Sequence, residues 1–240
     1  VRNRKVNKMA VTIKSQREIE LMRESCKILA DVFSQMEKAV HPGVSTLDIN
    51  NLGEKLIRAH GCIPNFLNYN GYPASICVSV NDEVVHGIPH KDHILHEGDI
   101  VSLDAGVIYK GYHSDAARTY GVGEISKEAK NLMQITKECF FEGIKYAREG
   151  NHLFDISGAI GRYAEERGYG VVRDLCGHGI GTALHEAPEI PNYEVGRKGV
   201  KLRPGMTLAI EPMINIGTYE VDWLDDDWTV VTRDLSLIHI

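Results

Sequence analysis

The sequence lacks several features that define other classes of protein. It has no C-x-x-C pair, no N-x-S/T sequon and no apolar run near the ~18 residues that a membrane helix needs. Its five cysteines are scattered and odd in number, which disfavours a disulfide framework and a thiolate zinc site. We therefore expect a cytoplasmic protein, from a reducing compartment, with no membrane-spanning segment.

An excess of positive charge is also missing. Lys and Arg number 27 against 33 Asp and Glu, which gives a formal net charge of −6. This balance lacks the electrostatic footprint of nucleic-acid binding, so we expect no nucleic-acid partner. Apolar residues make up 43% of the chain and charged residues 25%, a composition typical of a globular protein and not of a disordered one.

The chain is predicted to consist of a short tail and one domain. Residues 1–14 form the N-terminal tail, and residues 15–240 form a single domain. The tail lacks the Ser-rich pattern of a transit peptide. Its basic charge would allow a transient contact with the ribosome. Four basic residues precede the first methionine: Arg2, Arg4, Lys5 and Lys8.

Hydrophobic periodicity predicts two helices followed by strands, twice over. Ser15 and Glu18 form a capping box, and an apolar face then repeats every three or four residues until His41-Pro42-Gly43 ends the helix. Helices grouped with strands, and not alternating with them, indicate an α+β fold. The other predicted helices span 45–61, 126–148 and 155–168, and the strands span 75–80, 100–109, 113–122, 171–175, 206–213 and 228–232.

Single residues repeat in the same order as these elements. His86-Gly87-Ile88 in the first half matches His178-Gly179-Ile180 in the second. Asp104 follows a glycine by six residues, and so does Glu211. Each match falls on a residue that can bind a metal or carry a proton. The sequence therefore predicts a duplicated unit whose functional site lies between the two halves.

Two aspartates flank a predicted hairpin. If Lys110 and Gly111 are its turn residues, Asp104 faces position 117, and Asp115 lies two positions away on the same face, roughly 7–8 Å from Asp104. Placement within an apolar strand disfavours a simple turn or cap role for either aspartate. An ion pair between Asp115 and Arg118 is an alternative that the sequence leaves open.

Glu211 ends a third apolar stretch and precedes a proline. Three carboxylates that meet in low dielectric repel one another, so protons or cations must accompany them, and divalent metals are the simplest solution. His178 lies in a glycine-rich segment whose small residues should allow ligand access and unusual backbone angles. One imidazole with oxygen ligands suits Mn, Fe, Co or Zn, and carboxylates shared between two ions are typical of hydrolases.

Four segments of the sequence resemble the type I methionine aminopeptidases, which belong to the pita-bread metallopeptidases. The resemblance extends from about Val11 to Thr232. It implies a pita-bread fold, with two halves related by a pseudo-two-fold axis and a curved, mainly antiparallel sheet. It also implies removal of the initiator methionine from nascent chains when the second residue is small. The segments are NYNGYPASICVSVNDEVVHGIP (68–89), SLDAGVIYKGYHSDAARTY (102–120), CGHGIGTALHEAP (176–188) and LAIEPM (208–213).

The resemblance also implies roles for individual residues around two divalent metal ions. Asp104 would bind the first ion, Asp115 would bridge both, and His178 and Glu211 would bind the second. His86 and His185 would contact the substrate backbone, with Glu211 accepting a proton and His185 stabilising the oxyanion. The pocket for the methionine side chain would be formed by Tyr69, Tyr72, Cys77 and Trp228.

The sequence departs from the family near its end. After Asp234 the segment Leu235–Ile240 no longer resembles the final strand, which carries a metal-bridging glutamate in the family. We expect this chain to bind at least one metal weakly and to have low activity. Two alternatives follow: a prolidase or creatinase relative, or a catalytically impaired pita-bread module that binds partners. We expect the protein to be a monomer.

Overall fold

Two helices followed by a group of strands occur twice along the chain. The computed structural model describes residues 10–240, so residues 1–9 of the predicted tail lie outside the described part. The helices are α1 Gln16–Met36, α2 Thr46–Ala59, α3 Lys127–Ile144 and α4 Leu153–Glu165. The strands are β1 Ile63–Pro64, β2 Ile76–Val80, β3 Glu83–Val85, β4 Ile100–Tyr109, β5 Tyr112–Gly121, β6 Gly170–Val171, β7 Gly177–Gly179, β8 Glu186–Ile190, β9 Leu208–Ala209, β10 Ile214–Asn215, β11 Val221–Trp223, β12 Val230–Thr232 and β13 Ile238–His239.

Side-chain caps determine where the helices begin. Ser15 accepts a hydrogen bond from the backbone of Glu18, whose carboxylate accepts one from the backbone of Ser15, as the capping box predicts. The predicted start of α4 at Asp155 is wrong by two residues, because Asp155 caps the helix from inside its first turn by accepting from His152. The predicted end of α3 near residue 148 is also too late, since the helix stops at Ile144.

Each pair of helices covers a hydrophobic cluster of its own. In the first, α1 and α2 cover β2 and β4, with Met36, Ile49 and Leu103 almost fully buried. In the second, α3 and α4 pack against each other and enclose Leu132 and Ile160. Each helix pair buries its apolar stripe on its own strands, so each half contributes one side of the structure.

All strand pairs among the described residues are antiparallel. The β4–β5 hairpin turns at Lys110 and Gly111, which have left-handed φ angles of 50° and 84°. Its register places Asp104 opposite Ala117 and Asp115 opposite Gly106, which confirms the predicted pairing. β2 lies on the other side of β4. Both aspartates therefore point to the same face of this sheet.

The second half has shorter strands than the sequence predicts. Of the predicted strand 206–213 only Leu208–Ala209 is a strand, because the chain leaves the ladder before Glu211 and Pro212 has no N–H to donate. β7 lies between β8 and β9, and β10 lies between β6 and β13. In the described part of the chain, no helix combines the length and the apolar character that crossing a membrane requires.

Candidate metal centre and active site

Three side chains from both halves of the chain meet at one point. Asp115 lies on β5, His178 on β7, and Glu211 two residues beyond β9. The Nε2 atom of His178 is 3.5 Å from Oδ2 of Asp115 and 3.2 Å from Oε1 of Glu211. One ligand atom from each residue lies within 4.8 Å of the other two. This spacing would allow one cation to contact all three.

Asp104 completes an acidic group beside this point. Burial raises the pKa of Asp104 well above its ordinary value, and the negative charge of Asp115 raises it further. Burial likewise raises the pKa values of Asp115 and Glu211, and the charge of Asp115 adds to the effect on Glu211. The protein therefore holds three carboxyl groups where ionisation is unfavourable, unless a positive charge lies among them.

The orientation of His178 fits a metal ligand. Its Nδ1 atom lies 2.8 Å from the carbonyl oxygen of Gly179, which can only accept, so Nδ1 carries the proton. The other ring nitrogen, Nε2, faces the carboxyl groups of Asp115 and Glu211. The buried Oε1 atom of Glu211 has no hydrogen-bond partner. Carboxyl oxygens and an imidazole nitrogen that face one another fit a divalent cation, and a backbone carbonyl that orients the imidazole is a common feature of metal sites.

The glycines beside His178 have a packing role that differs from the prediction. Neither Gly177 nor Gly179 has a left-handed φ angle. A Cβ atom on Gly177 would lie 2.3 Å from the carbonyl oxygen of Ala209, and one on Gly179 would lie 2.2 Å from that of Ala187. The small residues let β8 and β9 approach β7 closely, which brings Glu211 next to His178. The predicted unusual backbone angles at these glycines are therefore wrong.

Two further histidines lie beside the carboxylate group. The ring of His185 is 4.2 Å from that of His178, and its Nδ1 atom is 2.8 Å from the hydroxyl of Tyr69. The ring of His86 packs edge-on against Trp228, with centroids 6.3 Å apart, and His86 has a left-handed φ of 60°. A non-glycine residue in this conformation is strained, and such strain is concentrated at functional sites.

The predicted pocket residues form one apolar cluster. Tyr72 is buried, donates its hydroxyl to the carbonyl oxygen of Gly87 and packs edge-on against Trp228 at 5.1 Å. Cys77 pairs with Asp104 across β2 and β4, so the cluster borders the carboxylates. Burial raises the pKa of the Cys77 thiol well above its usual value, which keeps this wall uncharged. Tyr69, Tyr72, Cys77 and Trp228 all belong to the cluster.

Several residues of this cluster have no sequence signal of their own. Phe66, Ile180 and Leu184 are buried with the predicted pocket residues. Ile180 and Leu184 lie in the same glycine-rich segment as His178, so their position beside the site could have been inferred. Phe66 stands in an irregular segment, where neither periodicity nor a motif indicates which way its side chain points.

The alternatives for individual ligands can be compared with the structure. Arg118 donates to the carbonyl oxygen of Ala117 and lies over the ring of Phe33, whereas Asp115 is close to His178. The alternative ion pair between Asp115 and Arg118 is therefore not present.

Comparison with known proteins identifies the family of this chain. Residues 20–239 match the model of metallopeptidase family M24, and the chain belongs to that family. It is similar to a protein of Clostridium acetobutylicum named methionine aminopeptidase, at 54% identity over 227 residues, covering 95% of this chain and 91% of the relative. Family membership and the Asp115–His178–Glu211 group together support the use of divalent metal.

Solved structures show the same architecture. The crystal structure of methionine aminopeptidase from Rickettsia prowazekii matches with a TM-score of 0.94 and 41% identity, over 96% of this chain and 93% of that one. An Xaa-Pro dipeptidase from Bacillus anthracis is more distant, with a TM-score of 0.73 and 28% identity, and this chain covers 61% of it. The predicted α+β pita-bread fold and the predicted family are confirmed.

The raised carboxyl pKa values predict that the folded state of the metal-free protein loses stability as pH rises. Burial raises the pKa of Glu211 to about 8, against ~4.3 in an unfolded chain. Between these values the folded state binds more protons than the unfolded state, so stability falls as pH rises. We compare Glu211→Gln with the unchanged protein in the presence of EDTA, using chemical denaturation. The free energy of unfolding of the variant should exceed that of the unchanged protein by an amount that grows from about pH 5 to about pH 8.

The comparison with Glu211→Gln isolates this carboxyl group from opposing effects. Burial lowers the pKa values of His86 and His239, and these groups favour folding as pH rises towards ~6.5. A saturating divalent ion should raise the thermal stability of the unchanged protein and not that of Glu211→Gln. Glu149→Gln, at an exposed carboxylate, is the control. A stability difference that does not vary with pH, or equal stabilisation of both proteins by metal, would contradict the account.

Proposed function

We propose that this chain is a metal-dependent aminopeptidase that releases the N-terminal methionine of nascent proteins and peptides. The convergence of Asp115, His178 and Glu211 beside an apolar cluster carries this proposal. Relatives at 40–54% identity are named methionine aminopeptidase, which supports it. A preference for a small second residue, and nascent chains as the physiological substrates, belong to the same proposal.

The metal ligands would be Asp104, Asp115, His178 and Glu211, which together could hold two ions of Co, Mn, Fe or Zn. A bound divalent ion would lower the pKa of a water molecule and polarise the scissile carbonyl. Glu211 would accept the proton of that water, because its buried carboxylate has an oxygen without a hydrogen-bond partner. The apolar cluster would bind the methionine side chain by excluding water from it.

His185 would donate a hydrogen bond to the oxyanion that forms on the substrate. Partial removal from water, together with nearby His178, holds the pKa of His185 below its ordinary value, so its imidazole is neutral near pH 7. Burial raises the pKa of Tyr69, which keeps its hydroxyl protonated and able to donate to Nδ1 of His185. With Tyr69 as the donor, the proton of His185 would be on Nε2, the atom that would face the substrate. His86 would contact the substrate backbone from the side of Trp228.

Three further predictions accompany the proposal. They are a cytoplasmic location, a monomeric state, and a transient ribosome contact through the basic residues before Met9, which lie outside the described residues. The division into a tail of residues 1–14 and a domain of residues 15–240 also stays a prediction.

Substrate choice separates this function from that of the prolidases. We expect the protein, supplied with excess Mn²⁺ or Co²⁺, to release methionine from Met-Ala-Ser and to leave Xaa-Pro dipeptides uncleaved, as measured by quantifying free amino acids. Cleavage of Xaa-Pro dipeptides alone would support the prolidase alternative. Binding of Met-Ala-Ser without turnover would support the impaired binding module.

Replacement of His185 tests its place in the chemistry. His185→Ala should lower kcat for Met-Ala-Ser at least about ten-fold, because a donor to the oxyanion is lost. KM should change much less, since that hydrogen bond strengthens only as the oxyanion forms. His96→Ala is the matched control at an exposed histidine. An unchanged kcat in His185→Ala would remove this residue from the chemistry.

A further inference from the structure

A lysine with a charged side chain is buried at the point where the N-terminal segment meets the second half. The side chain of Lys14 is 6% exposed, and that of its partner Glu186 is 9% exposed. The Nζ atom of Lys14 lies 2.6 Å from Oε2 of Glu186 and 2.5 Å from the hydroxyl of Thr12. Thr12 also donates to Glu186 at 2.6 Å. Lysine is almost never this buried unless it is paired, so the contact indicates a specific role.

Glu186 directly follows His185 and holds the loop that carries it. Its Oε1 atom accepts from the backbone of Ala183 at 3.2 Å, so the side chain closes residues 183–186 into a turn. A Cβ atom on Gly181 would lie 2.5 Å from Oε1 of Glu186 and 2.5 Å from Cε of Lys14. The loop from Gly181 to Glu186 is therefore packed directly around the ion pair.

The same N-terminal segment contacts a second loop that leads to the site. The backbone N–H of Lys14 donates to the carbonyl oxygen of Gly205 at 2.8 Å. That loop continues through Thr207, which bonds to Ile180 in both directions, into β9 and Glu211. Lys14 thus contacts the loop that carries His185 through its side chain, and the loop that leads to Glu211 through its backbone.

The residues that follow Lys14 are held by contacts within the first half of the chain. Ser15, next to Lys14, caps α1. Glu18 in the first turn of α1 accepts from the hydroxyl of Tyr112 at 3.0 Å, and Ser25 lies 2.9 Å from Ser114 on β5, beside Asp115. Lys14 is therefore held in a fixed position relative to the strand that carries Asp115.

We propose that Lys14 is a positioning residue for His185: its ion pair with Glu186 fixes the 181–186 loop of the second half against the first half, so that His185 faces the substrate. This proposal deepens the proposed function, since the chemical role of His185 rests on it. The geometry of the loop, however, can be tested without turnover.

Amide hydrogen exchange measures the position of the loop directly. In Lys14→Met, a substitution of similar length without charge, we expect exchange at residues 181–186 to rise at least ten-fold while exchange in α3 is unchanged. The kcat for Met-Ala-Ser should fall at least ten-fold with KM changed less than three-fold. Lys27→Met is the matched control, because it breaks an exposed pair with Glu24 that is 2.7 Å long.

Two further variants separate positioning from general stability. Lys14→Met loses thermal stability because it leaves the buried carboxylate of Glu186 without a partner. The double variant Lys14→Met/Glu186→Gln removes both charges, so its thermal stability should recover. Its loop exchange should stay fast and its kcat should stay low. If Lys14→Met does not fold, Thr12→Val is the second variant. It removes the hydroxyl that hydrogen-bonds both Lys14 and Glu186, and it should raise loop exchange about three-fold.

The outcomes distinguish this proposal from the proposed function. Faster exchange confined to residues 181–186, in a protein that never releases methionine, would support the positioning role and overturn the aminopeptidase function. Loop exchange unchanged in Lys14→Met, or raised equally in α3, would overturn the positioning role. A double variant that regains both stability and kcat would overturn it as well.

Discussion

The structure depends on one electrostatic constraint: carboxyl groups from both halves of the chain are buried together, with their oxygens facing Nε2 of His178. Asp115 and Glu211 approach Nε2 of His178 to 3.5 and 3.2 Å, and the other ring nitrogen is occupied by a backbone carbonyl. Without a cation, like charges in low dielectric must take up protons. The protein therefore accepts a cost in its folded state that a divalent ion would offset, as is common at functional sites.

The fold supplies this convergence through simple elements. A long hairpin with a two-residue turn places two aspartates on one face of the first half, and three closely packed strands place His178 beside Glu211 in the second. Each helix pair packs on its own hydrophobic cluster, so the elements that meet at this point are supported from both sides. The apolar cluster around Tyr72 and Cys77 lies against the same strands. The proposed metal ligands and the proposed substrate pocket thus lie at one junction.

The sequence predicts well those features that are encoded locally. The register of Asp104 and Asp115 follows from a turn of Lys110 and Gly111, and capping residues indicate the start of α1. Contacts between distant residues are not encoded in this way. Lys14 and Glu186 are 172 positions apart, and no spacing rule connects a basic residue near one end with a carboxylate beside His185. Strands of two or three residues also escape detection, since alternation needs about four residues to be recognised.

Anomalous X-ray diffraction from crystals soaked in Mn²⁺ would show whether a divalent cation binds between His178 and the carboxyl groups. We expect a difference peak between the two halves, within about 2.3 Å of Nε2 of His178 and of carboxylate oxygens of Asp115 and Glu211. The peak should be absent from crystals of His178→Ala grown and soaked in the same way. A map with no manganese at this position, or with manganese only at surface carboxylates, would contradict the account.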